Sequence, residues 1–333
     1  MAPSEPNRQP PYRPDPERVL NISDREIRKA ADTLVGGGVV AFPTETVYGL
    51  GARTDNPEAI QHVFDLKGRP SDNPLIVHLS NREQVPLFAR VETEGLDTLL
   101  DQFWPGPLTV VLPRQPNVLD LVTGGLDTVA LRMPAHPVAQ ALIEQSGPLV
   151  APSANRSGRP SPTAAAHVRE DFGDQLFILD GGPCDIGLES TVLDLHQEPW
   201  TLLRPGYYSR ETLETTTGRS IQASDGSTRT PRSPGMKYTH YKPDAEVRWY
   251  QSGDNTSDPD QTLFITHGDK IPSVPHQYYM DGDFERMARQ LYDLFRSADA
   301  HGLANIRIEP LPKTFCHPIL PALENRIKKA IGR

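Results

Sequence analysis

Apolar and polar positions along this chain fall into short blocks of two different periods. Ile27, Ala30, Ala31 and Leu34 recur at helical spacing behind Ser23-Asp-Arg-Glu26, a capping-box sequence, and Gly36-Gly37-Gly38 ends the run. Residues 39–42 form an apolar strand that opens into Pro43-Thr-Glu-Thr-Val-Tyr-Gly-Leu-Gly51, a hydroxyl-rich loop. Asn56 and Pro57 start a second helix that places Ile60, Val63 and Phe64 inward. Apolar strands are predicted over 108–112, 129–131, 149–151, 176–179, 191–195 and 200–203. Helices fall near 138–144 and 163–168, the second with Ser161 as N-cap and Pro162 at N1. Strands and helices mix without strict alternation, which predicts an α/β (mixed α+β) fold around a twisted sheet.

From 214 to 233 nearly every residue is polar or glycine, a linker composition. Pattern then returns, with strands near 247–250, 262–266 and 306–308. Asp283 caps a long helix with Met287, Leu291, Leu294, Phe295 and Ala298 on one face, and a basic helix ends the chain. A division follows: a tail at 1–18, a first domain at 19–208, a linker or lid at 209–244 and a small β/α domain at 245–333.

Composition narrows the function classes. A chain of 333 residues is long enough for two cores. Its 34 prolines are about twice the usual share, and the polar, proline-rich prefix reads as a disordered tail and not a secretory signal. No apolar run approaches a bilayer span, so no membrane is involved and the cytoplasm is the expected compartment. Cys184 and Cys316 lack any metal or disulfide spacing. A net charge of -9 argues against a chain whose main task is gripping nucleic acid.

Candidate chemistry lies on loops at strand ends. Neither a P-loop nor a GxGxxG turn follows a strand, so a phosphate site must be built from side chains and scattered amides. Lys67-Gly-Arg69 is followed by Asn73 and His78, a set suited to a polyanion. Thr128-Val-Ala-Leu-Arg132 ends a strand on an arginine, the loop 151–163 carries Ser153, Asn155 and Thr163, and Ser190 and Arg204 follow. Ser153 lacks a GxSxG elbow, and no ligand spacing supports metal hydrolysis.

The segments 38–51 and 67–78, with those that follow to 206, resemble the signature of the YrdC/Sua5 family, L-threonylcarbamoyladenylate synthases that begin N6-threonylcarbamoyladenosine synthesis on tRNA. Ser233-Pro-Gly-Met-Lys-Tyr-Thr-His-Tyr-Lys-Pro243 resembles the linker of the long Sua5 branch, and 245–333 its small Rossmann-like C-terminal domain. Pro318-Ile-Leu-Pro321 stands where that family usually has a glycine-rich turn. The resemblance implies condensation of L-threonine, bicarbonate and ATP into threonylcarbamoyl-AMP and pyrophosphate, with Mg²⁺ on the phosphates and no tightly bound metal. It implies Lys67 and Arg69 as the catalytic, phosphate-facing cations. Thr46, His78, Arg132, Ser153 and Ser190 would meet threonine. Asn73, Thr128, Asn155, Thr163 and Arg204 would meet ATP, with His240 and Tyr241 reaching it from the lid. The product would pass to a threonylcarbamoyl transferase complex acting on tRNA, with direct tRNA binding weak or absent. The alternative is a double-stranded RNA or tRNA-binding module without catalysis.

Overall fold

The computed structural model describes residues 9–14, 22–224, 241–250, 258–272, 274–313 and 317–332. The first domain begins with helix α1 (Asp24–Val35) and strands β1 (Val40–Phe42) and β2 (Gly49–Arg53). Helix α2 (Pro57–Lys67) and strand β3 (Ile76–His78) follow, then the helices α3 (Val85–Phe88) and α4 (Leu96–Phe103). Strand β4 (Leu108–Pro113), helix α5 (Asp120–Thr123), strand β5 (Thr128–Arg132), helix α6 (Pro137–Ser146) and strand β6 (Leu149–Val150) come next. Helix α7 (Ala165–Phe172) and strands β7 (Phe177–Ile178), β8 (Thr191–Asp194) and β9 (Trp200–Arg204) lead to helix α8 (Arg210–Thr217) and strand β10 (Ile221–Ala223).

These strands pair in one mixed sheet of order β10-β9-β8-β4-β5-β3-β6-β2-β1-β7. Helices cover both faces. On one, Ile27 and Leu34 of α1 pack with Leu142 and Ile143 of α6 over Phe42 and Leu149. On the other, Phe64, Leu100, Phe103 and Trp200 belong to the larger core. The capping box of α1 forms as the sequence predicts, with Ser23 and Glu26 bonded in both directions.

The second domain holds strands β11 (Glu246–Trp249), β12 (Thr262–Thr266), β13 (Gln277–Tyr279) and β14 (Asn305–Ile308), and helices α9 (Phe284–Ala300) and α10 (Leu320–Ile331). Its sheet, of order β11-β14-β12-β13, is wholly parallel. Its core does not stop at the domain boundary. Val47, Ile186 and Leu188 of the first domain pack into it with Met287, Leu291 and Tyr292. Burial of these apolar side chains fixes one domain on the other.

Three expectations change. Residues 9–14 of the supposed tail lie against the body: Tyr12 Oη donates to Asp185 at 2.6 Å, and its amide donates to Tyr208 Oη at 2.9 Å. The expected linker begins too early, because α8 and β10 belong to the first domain. Ser209 caps α8, and Leu213 and Ile221 are buried, so two apolar residues are enough to seat a segment whose composition is otherwise polar. Helix α7 starts at Ala165 without a side-chain cap, since Ser161 donates instead to Glu189. Residues 225–240, with most of the expected lid and His240, lie outside the described residues. Among the described residues no helix is long and apolar enough to cross a membrane.

Candidate active site

A pocket opens where the loops after β1, β6 and α2 meet the start of β8 and the ends of β3, β5 and β9. Loop 43–48 is shaped by Thr44, whose hydroxyl accepts from the amides of Thr46 and Val47, each at 3.2 Å, and donates to the carbonyl of Val47 at 2.6 Å. Thr46 Oγ1 lies 2.8 Å from Thr44 Oγ1. This local network replaces a regular ladder and places Thr44 and Thr46 in the pocket lining.

The turn after α2 separates two cations. Gly68 takes the left-handed conformation, φ 60°, at the helix C-cap. Lys67 then runs inward, and its ammonium donates to the carbonyls of Ser153 at 2.5 Å and Asn155 at 2.6 Å. Burial, and then repulsion by Arg69, lowers its pKa well below the lysine range. Arg69 lines the pocket and donates to the carbonyls of Asn73 and Pro74 at 3.4 and 2.9 Å.

β3 and β5 run parallel, and their register puts His78 beside Arg132. His78 Nδ1 lies 3.1 Å from the carbonyl oxygen of Ile76. A carbonyl can only accept, so Nδ1 carries the proton and Nε2 is left as an acceptor. Burial first, and the adjacent Arg132 charge second, lower the imidazole pKa to about 3. The ring is therefore neutral at physiological pH. Arg132 pairs with the fully buried Glu45 at 2.7 Å and donates from Nε to the carbonyl of Gly106 at 3.4 Å. That pairing occupies part of the guanidinium expected to grip a carboxylate, and leaves Nη1 for the purpose.

The far wall is built from β8 and β9. Arg204 donates to the carbonyl and the hydroxyl of Ser190, both at 3.0 Å, and Ser190 Oγ lies 2.7 Å from Thr109 Oγ1. Burial lowers the Arg204 pKa. Ser153 donates to Asn155 Oδ1 at 2.5 Å, and the Asn155 amide holds the carbonyls of Arg156 and Arg159.

Nine of the expected site residues line the pocket: Thr46, Arg69, His78, Arg132, Ser153, Asn155, Ser190, Arg204 and Tyr241. Lys67, Asn73, Thr128 and Thr163 do not. Lys67 is spent on loop carbonyls, Thr163 bonds His167 through its amide and hydroxyl, and Thr128 begins β5 at the end opposite Arg132. Asn73 is buried with no hydrogen-bond partner for its side chain among the described residues. Sequence reasoning missed Glu189 and Arg159, and read Ser161 only as a cap, yet all three line the pocket. A lone carboxylate in a loop carries no local signal.

Comparison with known proteins gives one consistent result. The family described as telomere recombination, Sua5/YciO/YrdC, matches residues 32–206, and the threonylcarbamoyl-AMP synthase C-terminal domain matches residues 208–332. The chain is 42% identical to the threonylcarbamoyl-AMP synthase of Pyrococcus abyssi, over 94% of this chain and 97% of the relative. It is 41% identical to that of Bacillus subtilis, over 94% and 95%. The crystal structure of P. abyssi Sua5 complexed with L-threonine superposes with a TM-score of 0.85 at 41% identity, covering 93% of this chain and 95% of that one.

Proposed function

The chain belongs to the Sua5/YciO/YrdC family, and from that premise we propose that it is a threonylcarbamoyl-AMP synthase. The threonine amine and bicarbonate form a carbamate with loss of water. A carbamate oxygen then attacks the α-phosphate of ATP, the bond to the bridging oxygen breaks, and pyrophosphate leaves. The step is a nucleotidyl transfer that needs no protein nucleophile. It needs anionic reactants held in line and charge neutralised as pyrophosphate departs.

The pairing of His78 with Arg132 carries this reading. A neutral imidazole acceptor suits an N–H or O–H of threonine, and the adjacent guanidinium suits its carboxylate. Arg69 and Arg204 face the same cavity and supply positive charge for the nucleotide. Among the described residues, Glu45, Glu189 and Asp171, carboxylates at or beside the pocket, are each paired with an arginine. Mg²⁺ would therefore be held by phosphate oxygens and water as part of the substrate. An RNA-binding surface would need exposed cations, whereas Arg132 and Arg204 are buried. The experiment is pyrophosphate release by the full chain with ATP and Mg²⁺. It should require both threonine and bicarbonate and yield a threonylcarbamoyl adenylate. Release that ignores threonine at every bicarbonate concentration would overturn the proposal.

A further inference from the structure

Glu189 is a carboxylate in the wall of a pocket lined by arginines, and every group that holds it can be named. Ser161 Oγ donates to its Oε1 at 2.6 Å. Tyr241 also bonds the carboxylate, Arg204 of β9 adds charge from the first domain, and further donors come from the second domain. Arg326 of α10 donates from Nε to Glu189 Oε2 at 2.7 Å, and Tyr292 of α9 donates to the same carboxylate at 3.0 to 3.2 Å. Arg326 continues beyond the carboxylate, reaching the backbone carbonyls of Glu189 at 3.4 Å and Pro205 at 2.9 Å. Those two carbonyls flank the Ser190 and Arg204 wall. Tyr241, also in the pocket, stacks on Tyr292 at 5.3 Å with the Arg326 guanidinium 5.5 Å from its ring centroid.

We propose that Arg326 and Tyr292 of the second domain are positioning residues for the first domain's site, acting through Glu189 on Ser161 and on the Ser190–Arg204 wall. The proposal rests on the synthase reading and extends it, by giving the second domain a task in the reaction. Elementary electrostatics supports it. A pocket for a nucleotide triphosphate and bicarbonate repels a bare carboxylate, so Glu189 is tolerable there only while a cation neutralises it. Arg326 is completely buried, so its pairing is not diluted by water. Arg326 does not itself line the pocket, and it reaches the cavity only through Glu189, which does.

The groups around Glu189 are Arg326, Arg204, Lys329, Tyr241 and Tyr292. Burial pushes the Glu189 pKa up, Arg326 and then Arg204 pull it down, and the net is a fall to about 2. Removing Arg326 leaves burial less opposed, so the carboxylate takes up a proton at higher pH.

The test is a series of full-length variants, Arg326→Met, Tyr292→Phe and the double Arg326→Met/Glu189→Gln. Arg326→Met should raise the KM for ATP roughly tenfold or more, with kcat changed less, because an unpaired buried charge opposes anion binding. The double variant should recover most of that loss, since no charge is left to neutralise. Tyr292→Phe should raise the KM about threefold. Thermal melting supplies a readout independent of activity: Arg326→Met should be most impaired near pH 8 and approach wild type toward pH 5, whereas the double variant should lack this dependence. An unchanged KM, or a double variant as impaired as the single one, overturns the proposal. If Arg326→Met does not fold, wild-type behaviour of Tyr292→Phe overturns it. A wild type without threonine-dependent pyrophosphate release counts against the synthase reading alone, because the melting series still reports on the Glu189 pairing.

Discussion

The ammonium of Lys67 lies 2.6 Å from the backbone carbonyl of Asn155, across a sequence distance of 88 residues. Two residues later Arg69 turns the other way and lines the pocket. One K-x-R motif thus divides its labour: the lysine holds the loop 153–155 in place and the arginine lines the pocket.

The two variants should therefore fail differently. Lys67→Ala removes the donor from one buried and one half-buried carbonyl and should lower stability by about 2–4 kcal/mol, with loss of activity following from a displaced loop. Arg69→Ala should leave stability nearly unchanged and cost roughly 30- to 1,000-fold in kcat/KM, as expected when a preorganised cation is removed. Denaturant unfolding and steady-state kinetics on both variants check this. Equal destabilisation by the two substitutions would contradict the division.

His78 gives a pH prediction. Its pKa falls from 6.5 to about 3 in the fold, because of burial first and Arg132 second. The folded state binds the proton more weakly than the unfolded state does. The associated stability is thus present above about pH 6.5 and is lost as pH falls toward 3, by about 2 kcal/mol at pH 5. Unfolding free energies at pH 7.5 and pH 5 should differ less in His78→Gln than in wild type. Threonine affinity should show no inflection from this imidazole between pH 5.5 and 8. An inflection near 6.5 that His78→Gln abolishes would show that the ring titrates in the working range.

Local rules made most elements legible. The capping box at Ser23, Asn56 with Pro57, and the Asp283 cap each need only a few neighbouring residues, and all three form. β2 was not read as a strand, because Gly49 and Gly51 have little strand propensity; its place is fixed by pairing with β1 and β6. The motif arginines were legible because the family pattern names them. Glu189 and Arg326 were not, since their meaning arises only when α10 meets the pocket across 137 residues of chain. Within the expected tail, residues 9–14 depart from the reading for a related reason. Proline-rich sequence cannot build a core, but residues 9–14 need only lie along the pair Tyr207 and Tyr208.

That strap yields a stability prediction. Tyr12 stacks edge-on against Tyr207 at 5.8 Å and bonds Asp185, and it touches the cores of both domains. Tyr12→Ala should lower stability by about 1–2 kcal/mol and the melting temperature by a few degrees. Differential scanning fluorimetry against wild type checks it, and an unchanged melting temperature would mean the strap contributes nothing in solution.

Gly187 tests whether domain docking itself matters. Its φ is +75°, and a Cβ there would come within 2.5 Å of Arg289 Cα and 2.6 Å of the Arg289 carbonyl oxygen in α9. Backbone cannot swing aside as a side-chain tip can. Gly187→Ala therefore adds left-handed strain and forces α9 away from the loop that carries Leu188 and Glu189. Leu188 would lose its packing among Met287, Leu291 and Tyr292, and the Tyr292 hydroxyl would draw back from Glu189. The first domain keeps its own sheet and both of its helical layers, so it should remain folded. The expected result is a total loss of about 2–4 kcal/mol, increased protease cleavage between the domains, and a raised KM for ATP. Limited proteolysis with kinetics on Gly187→Ala checks it. A variant that is cleaved and melts like wild type would show that the close contact between Gly187 and α9 does not hold the domains together.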